Sequence, residues 1–246
     1  AIDVLYSLKR TFGLNQELGH TLLKGLLIME RYEEALTIQS QLVSLNGHDD
    51  ITWFAKGKSE FYLKQFKNAE KSLRSSLKLD RSNDEAASLL AASEAFLGKG
   101  KSKALSKKLK PAFKPKSIKK SIHKDWSNNI SQGARIHLAR EVLSFKKGSH
   151  WTNSQELLIE ILDSSGVARY QEINDPFIPG YDRLYMNFII VYDSELNLKW
   201  KGAIKDFYVT TELGAEISKQ TQLAHFPVKD LEEGDFIHLQ LTRKSI

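Results

Sequence analysis

Leu157–Asp193 reads LLIEILDSSGVARYQEINDPFIPGYDRLYMNFIIVYD and decides how the second half of the chain folds. Leu157–Leu162 is a short apolar run that the turn cluster Asp163-Ser-Ser-Gly166 stops. Leu184–Asp193 is a second run, rich in the Ile, Val, Tyr and Phe that fit a pleated surface. Between them Pro176 and Pro179 fix φ and remove ladder donors, and Gly180 frees the next dihedral. The spacing predicts two β-strands around a polar, irregular middle.

Working outward, a two-residue period continues on both sides. Ile136–Ala139, Val142–Phe145, Glu156–Leu162, Leu184–Tyr192, Leu198–Trp200, Phe207–Thr210 and Phe236–Leu241 are the expected strands. Turns are expected at Lys147-Gly148, Asp193–Asn197 and Glu233-Gly234-Asp235. Short strands at this spacing with little helix predict a mostly antiparallel β-sandwich over 129–246. The motifs D-S-S-G-V-A-R-Y and P-x-x-P-G-Y-x-R-L, with the later Pro227–Phe236 loop, resemble a domain of unknown function. That family sits ahead of transglutaminase-like domains in bacterial cell-envelope proteins. The resemblance covers roughly Ala134–Thr242 and implies a sandwich that positions a neighbour, in a periplasmic or envelope setting. It brings no catalytic residues. A transglutaminase-like reaction would need a Cys-His-Asp domain beyond Ile246, because this chain has no Cys.

The front half has a different period. Tyr32 and Ala35 recur 34 residues later as Phe66 and Ala69. That aromatic-x-x-Ala recurrence resembles the tetratricopeptide repeat, a pair of antiparallel helices, over residues 16–98. The copy at Asp50–Asn83 carries Trp53, Gly57, Phe66, Ala69 and Leu73 at the family's offsets, with Glu60 where an aromatic is usual. The copy at Gln16–Asp49 is weaker, with Gly19 at the Trp position, and a third from Asp84 keeps only a helical pattern up to Gly98. By the family's offsets, His20, Lys24 and Leu27 of the first copy face a concave groove, as do Phe54, Lys58, Phe61 and Tyr62 of the second. The resemblance implies that this groove binds a protein or peptide, and that Trp53 sits in the core. Phe61 and Tyr62 equally suit packing against the next unit.

Between the halves, Lys99–Lys124 holds 11 Lys and no acid. Pro111 and Pro115 argue against one continuous helix, while Ser102–Leu109 suits a last helix turned to solvent. The expected organisation is therefore α+β in two domains, a helical array over 1–110 and the sandwich over 129–246, joined by a solvated connector at 111–128. The formal charge of +6 is uneven. Residues 1–125 carry 23 basic and 14 acidic groups, whereas 126–246 carry 13 and 16. Lys107, Lys108, Lys110, Lys114, Lys116, Lys119 and Lys120 suit an acidic partner, an anionic surface or nucleic acid. The run has few aromatics for base stacking, only Phe113 and the trailing Trp126.

Chemistry is otherwise sparse. Ala95–Ser102 fits a relaxed phosphate-loop pattern, but an Ala-rich helix rather than a strand precedes it. The seven His (20, 48, 123, 137, 150, 225 and 238) lack metal-ligand spacing, and no cofactor, metal or catalytic constellation is expected. Glu232, Glu233 and Asp235 read as a solvated turn tip. Asp175, Tyr181 and Arg183 flank the Pro/Gly segment as a recognition loop, or Arg183 pairs with a neighbouring carboxylate. Trp151, Tyr181 and Trp200 are the aromatics a carbohydrate-binding sandwich would use. No run approaches the ~20 apolar residues of a membrane span. The absence of an initiating Met at Ala1 fits both a mature form after signal cleavage and a fragment of a longer chain.

Overall fold

Helix caps set the architecture of the first hundred residues. Asn15, Asp49 and Asn83 stand 34 residues apart, and each side chain accepts a hydrogen bond from the amide three residues on, at Leu18, Thr52 and Ala86 (2.8, 2.7 and 2.9 Å). Each satisfies one of the orphan donors at a helix start. They open α2 (Gln16–Ile28), α4 (Asp50–Tyr62) and α6 (Asp84–Phe96). The helices end with the same period, at Glu30, Lys64 and Gly98, all with positive φ. The following amides of Arg31, Gln65 and Lys99 then bond to the carbonyls of Leu26, Glu60 and Glu94. This is the Schellman termination. The computed structural model describes residues 2–45, 49–100, 102–122, 130–131, 133–145, 150–211 and 221–246. In it, α1 (Ile2–Phe12), α3 (Tyr32–Ser44) and α5 (Phe66–Leu79) complete the helical part. The chain divides into two units, Ala1–Lys99 and Gly100–Ile246.

Close approach of successive helices demands small residues. Ala35 and Ala69 are fully buried. A Cβ on Gly57 would lie 2.6 Å from Leu73 Cγ and 3.1 Å from its backbone nitrogen, so α4 meets α5 at backbone distance. Leu22, Leu23, Leu26, Ile38 and Leu42 form one apolar cluster, and Ala69, Leu73 and Ala86 the centre of the next. Trp53 is only half-buried and lies under the Lys56 ammonium at 5.3 Å, not in either cluster.

Glu60 is the polar intruder in this core. It is buried, and Ser72 Oγ donates to it at 2.7 Å. Burial raises its pKa despite that bond and the nearby Lys56. Its contribution is therefore full when the carboxyl is protonated and is lost as pH rises through the elevated pKa. Glu60→Gln keeps an acceptor for Ser72 without the charge, so thermal unfolding at neutral pH should show a higher midpoint than wild type. The gain should vanish at acid pH. A lower midpoint at neutral pH would contradict this.

In the second unit two antiparallel sheets share one core. β1 (Ile130–Ser131), β2 (Ala134–Phe145), β3 (Trp151–Ile161), β5 (Asp182–Tyr192), β6 (Leu198–Lys201) and β9 (Phe236–Ser245) form a six-stranded sheet in the order β1-β2-β3-β9-β5-β6. β4 (Glu172–Phe177), β8 (Gln222–Pro227) and β7 (Tyr208–Thr211) form a three-stranded sheet in the order β4-β8-β7. Ile159, Ile161, Leu184, Ile189, Val191, Ile237, Leu239 and Leu241 of the larger sheet pack with Phe177, Ala224 and Phe226 of the smaller. Alternation along β3 and β9 follows the two-residue period: odd positions feed this core and even positions face away.

Three elements depart from the expected pattern. The Asp163 cluster is a helix start, α8 (Ser164–Tyr170), because Asp163 Oδ1 accepts from the Ser165 and Gly166 amides (2.8 and 3.1 Å). The polar middle is largely the edge strand β4, which tolerates Pro176 because an edge residue need not donate. β8 was not marked by any alternation, since four successive residues, Ala224–Pro227, are buried. The turn expected at Lys147-Gly148 lies outside the described residues. No helix among the described residues is long and apolar enough to cross a membrane.

Candidate functional site

The outward face of the six-stranded sheet is polar at its centre. Register places Ser144, Thr152, Lys244 and Arg183 in one transverse row, followed by Val142, Ser154, Thr242 and Tyr185. Arg140, Glu156 and Gln240 form the next row. A bulge between Met186 and Phe188 interrupts β5 at that level. Asn187 and Phe188 both reach this face, the first to Leu109 O and the second to the His238 ring at 4.8 Å. Ser154, Glu156, Gln240, Thr242 and His238 are buried, although they point away from the core.

The Lys-rich stretch covers them. It is not a solvated connector, and Ser102–Leu109 is not a helix. Leu105 is buried in the sandwich core, and residues 109–116 lie along the outward face as a strap. Asn187 Nδ2 donates to Leu109 O (2.8 Å), the Ala112 amide to Ser154 Oγ (2.9 Å), and Gln240 Nε2 to Phe113 O (3.1 Å). The Lys116 amide donates to Glu156 Oε1 (2.7 Å), the oxygen that also bonds His238 Nε2 (2.9 Å). Glu156 Oε2 accepts no hydrogen bond and faces Arg140 Nη1 at 3.9 Å, while the Arg140 guanidinium stacks 3.8 Å from the Phe113 ring centroid. A proline-interrupted segment has no ladder of its own, so sheet side chains supply partners for its backbone groups. The second unit thus begins near residue 100, and the expected domain ends at 110 and 129 do not match its contacts.

Where the strap crosses the first row a cleft of about 610 Å³ opens. Lys107, Lys108 and Lys110 form one wall and Arg183 and Lys244 the other, with His150, Ser144 and Thr152 between. Among the described residues no acidic side chain lines it and none of the five cations has an ion pair. Arg183 and Lys244 are directly opposed across β5 and β9, where like charges repel and destabilise the pair. Several cations elsewhere are neutralised: Lys58 by Glu85 (2.7 Å), Lys99 by Glu70 (2.7 Å), Arg135 by Glu160 (2.7 Å), Lys229 by Asp206 (2.8 Å).

The expected site residues separate accordingly. Lys107, Lys108 and Lys110 join Arg183 in the cleft. Lys114 is exposed nearby, Lys116 borders a second cleft with Lys201 and His238, and Lys119 and Lys120 sit on the short α7 (Ile118–Ser121). Arg183 does not pair with Asp175. Arg243 does so instead, on the inner side of the sheet, and also approaches Asp182 at 3.5 Å. Tyr181 is 68% exposed between the two sides, so the recognition loop is split. In the helical unit the expected groove residues are engaged internally. His20 bonds Asp49 (2.9 Å), Lys58 pairs with Glu85, and Phe54 packs into the second cluster. Phe61 meets the Phe66 and Phe96 rings at 5.5 and 6.1 Å, and Tyr62 stacks on Tyr32 at 4.7 Å. Tyr62 remains 47% exposed, and Lys24 is exposed without an ion pair among the described residues.

Other candidates have structural partners. His137 bonds Glu160 (2.9 Å), and His225 bonds Thr210 (2.8 Å) and Glu172 (3.2 Å). Burial acts to raise the Glu172 pKa, but hydrogen bonds from His225 and Tyr208 outweigh it and lower the value. Asp235 is buried and held by Lys199 (2.9 Å), so the Glu233-Gly-Asp turn is not a wholly solvated tip. Trp200 packs on the core, and Ala95–Lys99 of the loop pattern is a helix end. His48, His123, Trp126 and Lys101 lie outside the described residues. Among the described residues no cluster of three or more His, Asp or Glu is placed to hold a metal ion.

No family model and no curated protein matches the chain. Among solved structures it is similar to a chain from Parabacteroides distasonis ATCC 8503 described as a "putative protease", with 12% identity and a TM-score of 0.44. The likeness covers 48% of this chain and 24% of that one, so the matched part is about a quarter of that protein's length.

Proposed function

We propose that the chain is a non-catalytic interaction module whose second unit holds an acidic segment of a partner protein in the strap cleft. The observation that carries this reading is the set of five cations, without ion pairs among the described residues, that line one concave site where no described acidic side chain stands. A recessed cleft suits an extended chain better than a flat lipid surface. The absence of aromatic lining removes the stacking that single-stranded nucleic acid uses. The helical unit serves as a scaffold of tetratricopeptide type. The 34-residue recurrence of caps, Schellman ends and buried Ala35 and Ala69 supports that assignment. The sandwich as a relative of the domain ahead of transglutaminase-like enzymes, and the envelope setting, rest on the resemblance of Ala134–Thr242.

Binding of a labelled oligoglutamate peptide, followed by fluorescence anisotropy at low and high salt, tests the proposal. Arg183→Glu with Lys244→Glu should weaken it on the order of tenfold or more, since each lost charge-assisted bond contributes about 1.5–3 kcal/mol. Tighter binding of a single-stranded oligonucleotide or of anionic vesicles, lost in the same double variant, would overturn the acidic-protein reading in favour of another polyanion. Binding unchanged in the double variant would remove the cleft from the account.

A further inference from the structure

The two sheets differ in width, with six strands in one and three in the other, and β4 is an edge strand of the smaller sheet. Among the described residues, Leu143 and Phe145, which register places on the inner face of β2, are 52% and 71% exposed.

The free edge of β4 has an assignable hydrogen-bond polarity. Glu172 faces Pro227 and Pro176 faces Leu223 across the pair, and a proline cannot donate within an exchanged pair. Both therefore sit at non-bonded positions. The Val228 amide bonds Gln171 O, which places odd-numbered β4 residues at bonded ones. The amide and carbonyl of Glu172 and Asn174, and the carbonyl of Pro176, then point outward. Consistently, Pro176 O accepts from Arg243 Nη2 on the far side from β8.

At the foot of that edge lies a cleft of about 440 Å³. Its bed is Leu157, Ile173, Met186, Leu239 and Leu241, and its rim carries the amides of Asn153, Gln155 and Asn174. Asn153 Oδ1 is buried there without a donor, although Asn153 Nδ2 and Gln155 Nε2 both donate to Glu141 Oε1 (2.6 and 3.0 Å).

We infer that an extended peptide adds to β4 as a fourth strand of the smaller sheet, placing one large apolar side chain in this cleft. Strand addition fits because the edge offers directed main-chain groups and the bed offers a pocket to alternate residues only. The stretch of usable edge is short, since Pro176 lacks a donor, so the apolar anchor supplies most of the selectivity. This site is separate from the basic cleft, which lies on the opposite face of the same sheet.

Panning a random heptapeptide phage library against the full chain, with counter-selection on an Asn174→Pro variant, tests the inference. Asn174 is exposed, so the variant loses the outward amide and should unfold at the wild-type temperature. Selected synthetic peptides should alternate apolar and polar residues. They should bind the variant at least about tenfold more weakly and slow amide exchange at Asn174. Leu143→Lys, on the inner face of β2 opposite Asn153, should weaken them as well and covers the case in which the proline variant is unstable. Peptides that bind Asn174→Pro as tightly as wild type, or no enrichment over it, would overturn strand addition. Concentration-dependent self-association lost in Asn174→Pro would make a second copy the occupant and overturn the peptide assignment.

Discussion

Glu156→Ala should lower the stability of the second unit by about 3–5 kcal/mol, because two buried donors lose their acceptor at about 1–3 kcal/mol each. The carboxylate is fully buried, and Oε1 alone serves both the Lys116 amide and His238. Alanine leaves the imidazole and a backbone donor without their acceptor, and removes the carboxylate that faces Arg140 at 3.9 Å, in a site closed by the strap. For a unit of this size the thermal midpoint should fall by roughly 10 °C. Local release has its own signature, because the strap is bounded by tryptic sites at Lys108-Leu109 and Lys116-Ser117, while Lys110 and Lys114 precede proline and resist trypsin. Cleavage after Lys108 and Lys116 should accelerate in Glu156→Ala under native conditions, and much less in Glu156→Gln, which keeps an acceptor. An unchanged midpoint with unchanged cleavage would mean that the strap is held without Glu156.

Phe226→Ala should cost about 3–5 kcal/mol as well, the range for deleting a buried aromatic. Phe226 is fully buried in the three-stranded sheet, and its ring meets Phe207 edge to face at 5.0 Å. It packs with residues of the six-stranded sheet in the same cluster. Because the sheets share that core, urea unfolding of the unit should remain one transition with a lowered midpoint and an unchanged slope. Separate loss of the smaller sheet, seen as a second transition, would show two independent cores instead. Together the two substitutions probe opposite faces of the larger sheet. Their effects should add only where the sites share no partner.

Much of the fold was legible in the residues because periodicity is local. The change from a 34-residue helical recurrence to a two-residue alternation divides the chain correctly into a helical part and an antiparallel part. The third helical unit was also written in the sequence, in the Asn15, Asp49 and Asn83 caps. They escape an aromatic-x-x-Ala search because a cap is one polar residue outside the apolar pattern. β8 was not legible for the opposite reason: buried on both faces at Ala224–Pro227, it shows no alternation. Asp163 was ambiguous in principle, since the side-chain bonds that make a turn also start a helix.

By itself the sequence determined the element type of its periodic segments and the excess of positive charge, because both are properties of neighbours along the chain. The tertiary structure alone decided where that charge goes. Lysine content describes a solvated linker and a seated strap equally well. What distinguishes them is whether distant strands offer partners for the backbone: Ser154, Glu156, Asn187 and Gln240 do so from three different strands. The same holds for Arg183. Its nearest carboxylates in sequence are drawn to Arg243 on the inner face, while strand register places Arg183 outward, opposite Lys244. Pairing of charges depends on which face of a sheet each side chain takes, and that is fixed only when the strands come together.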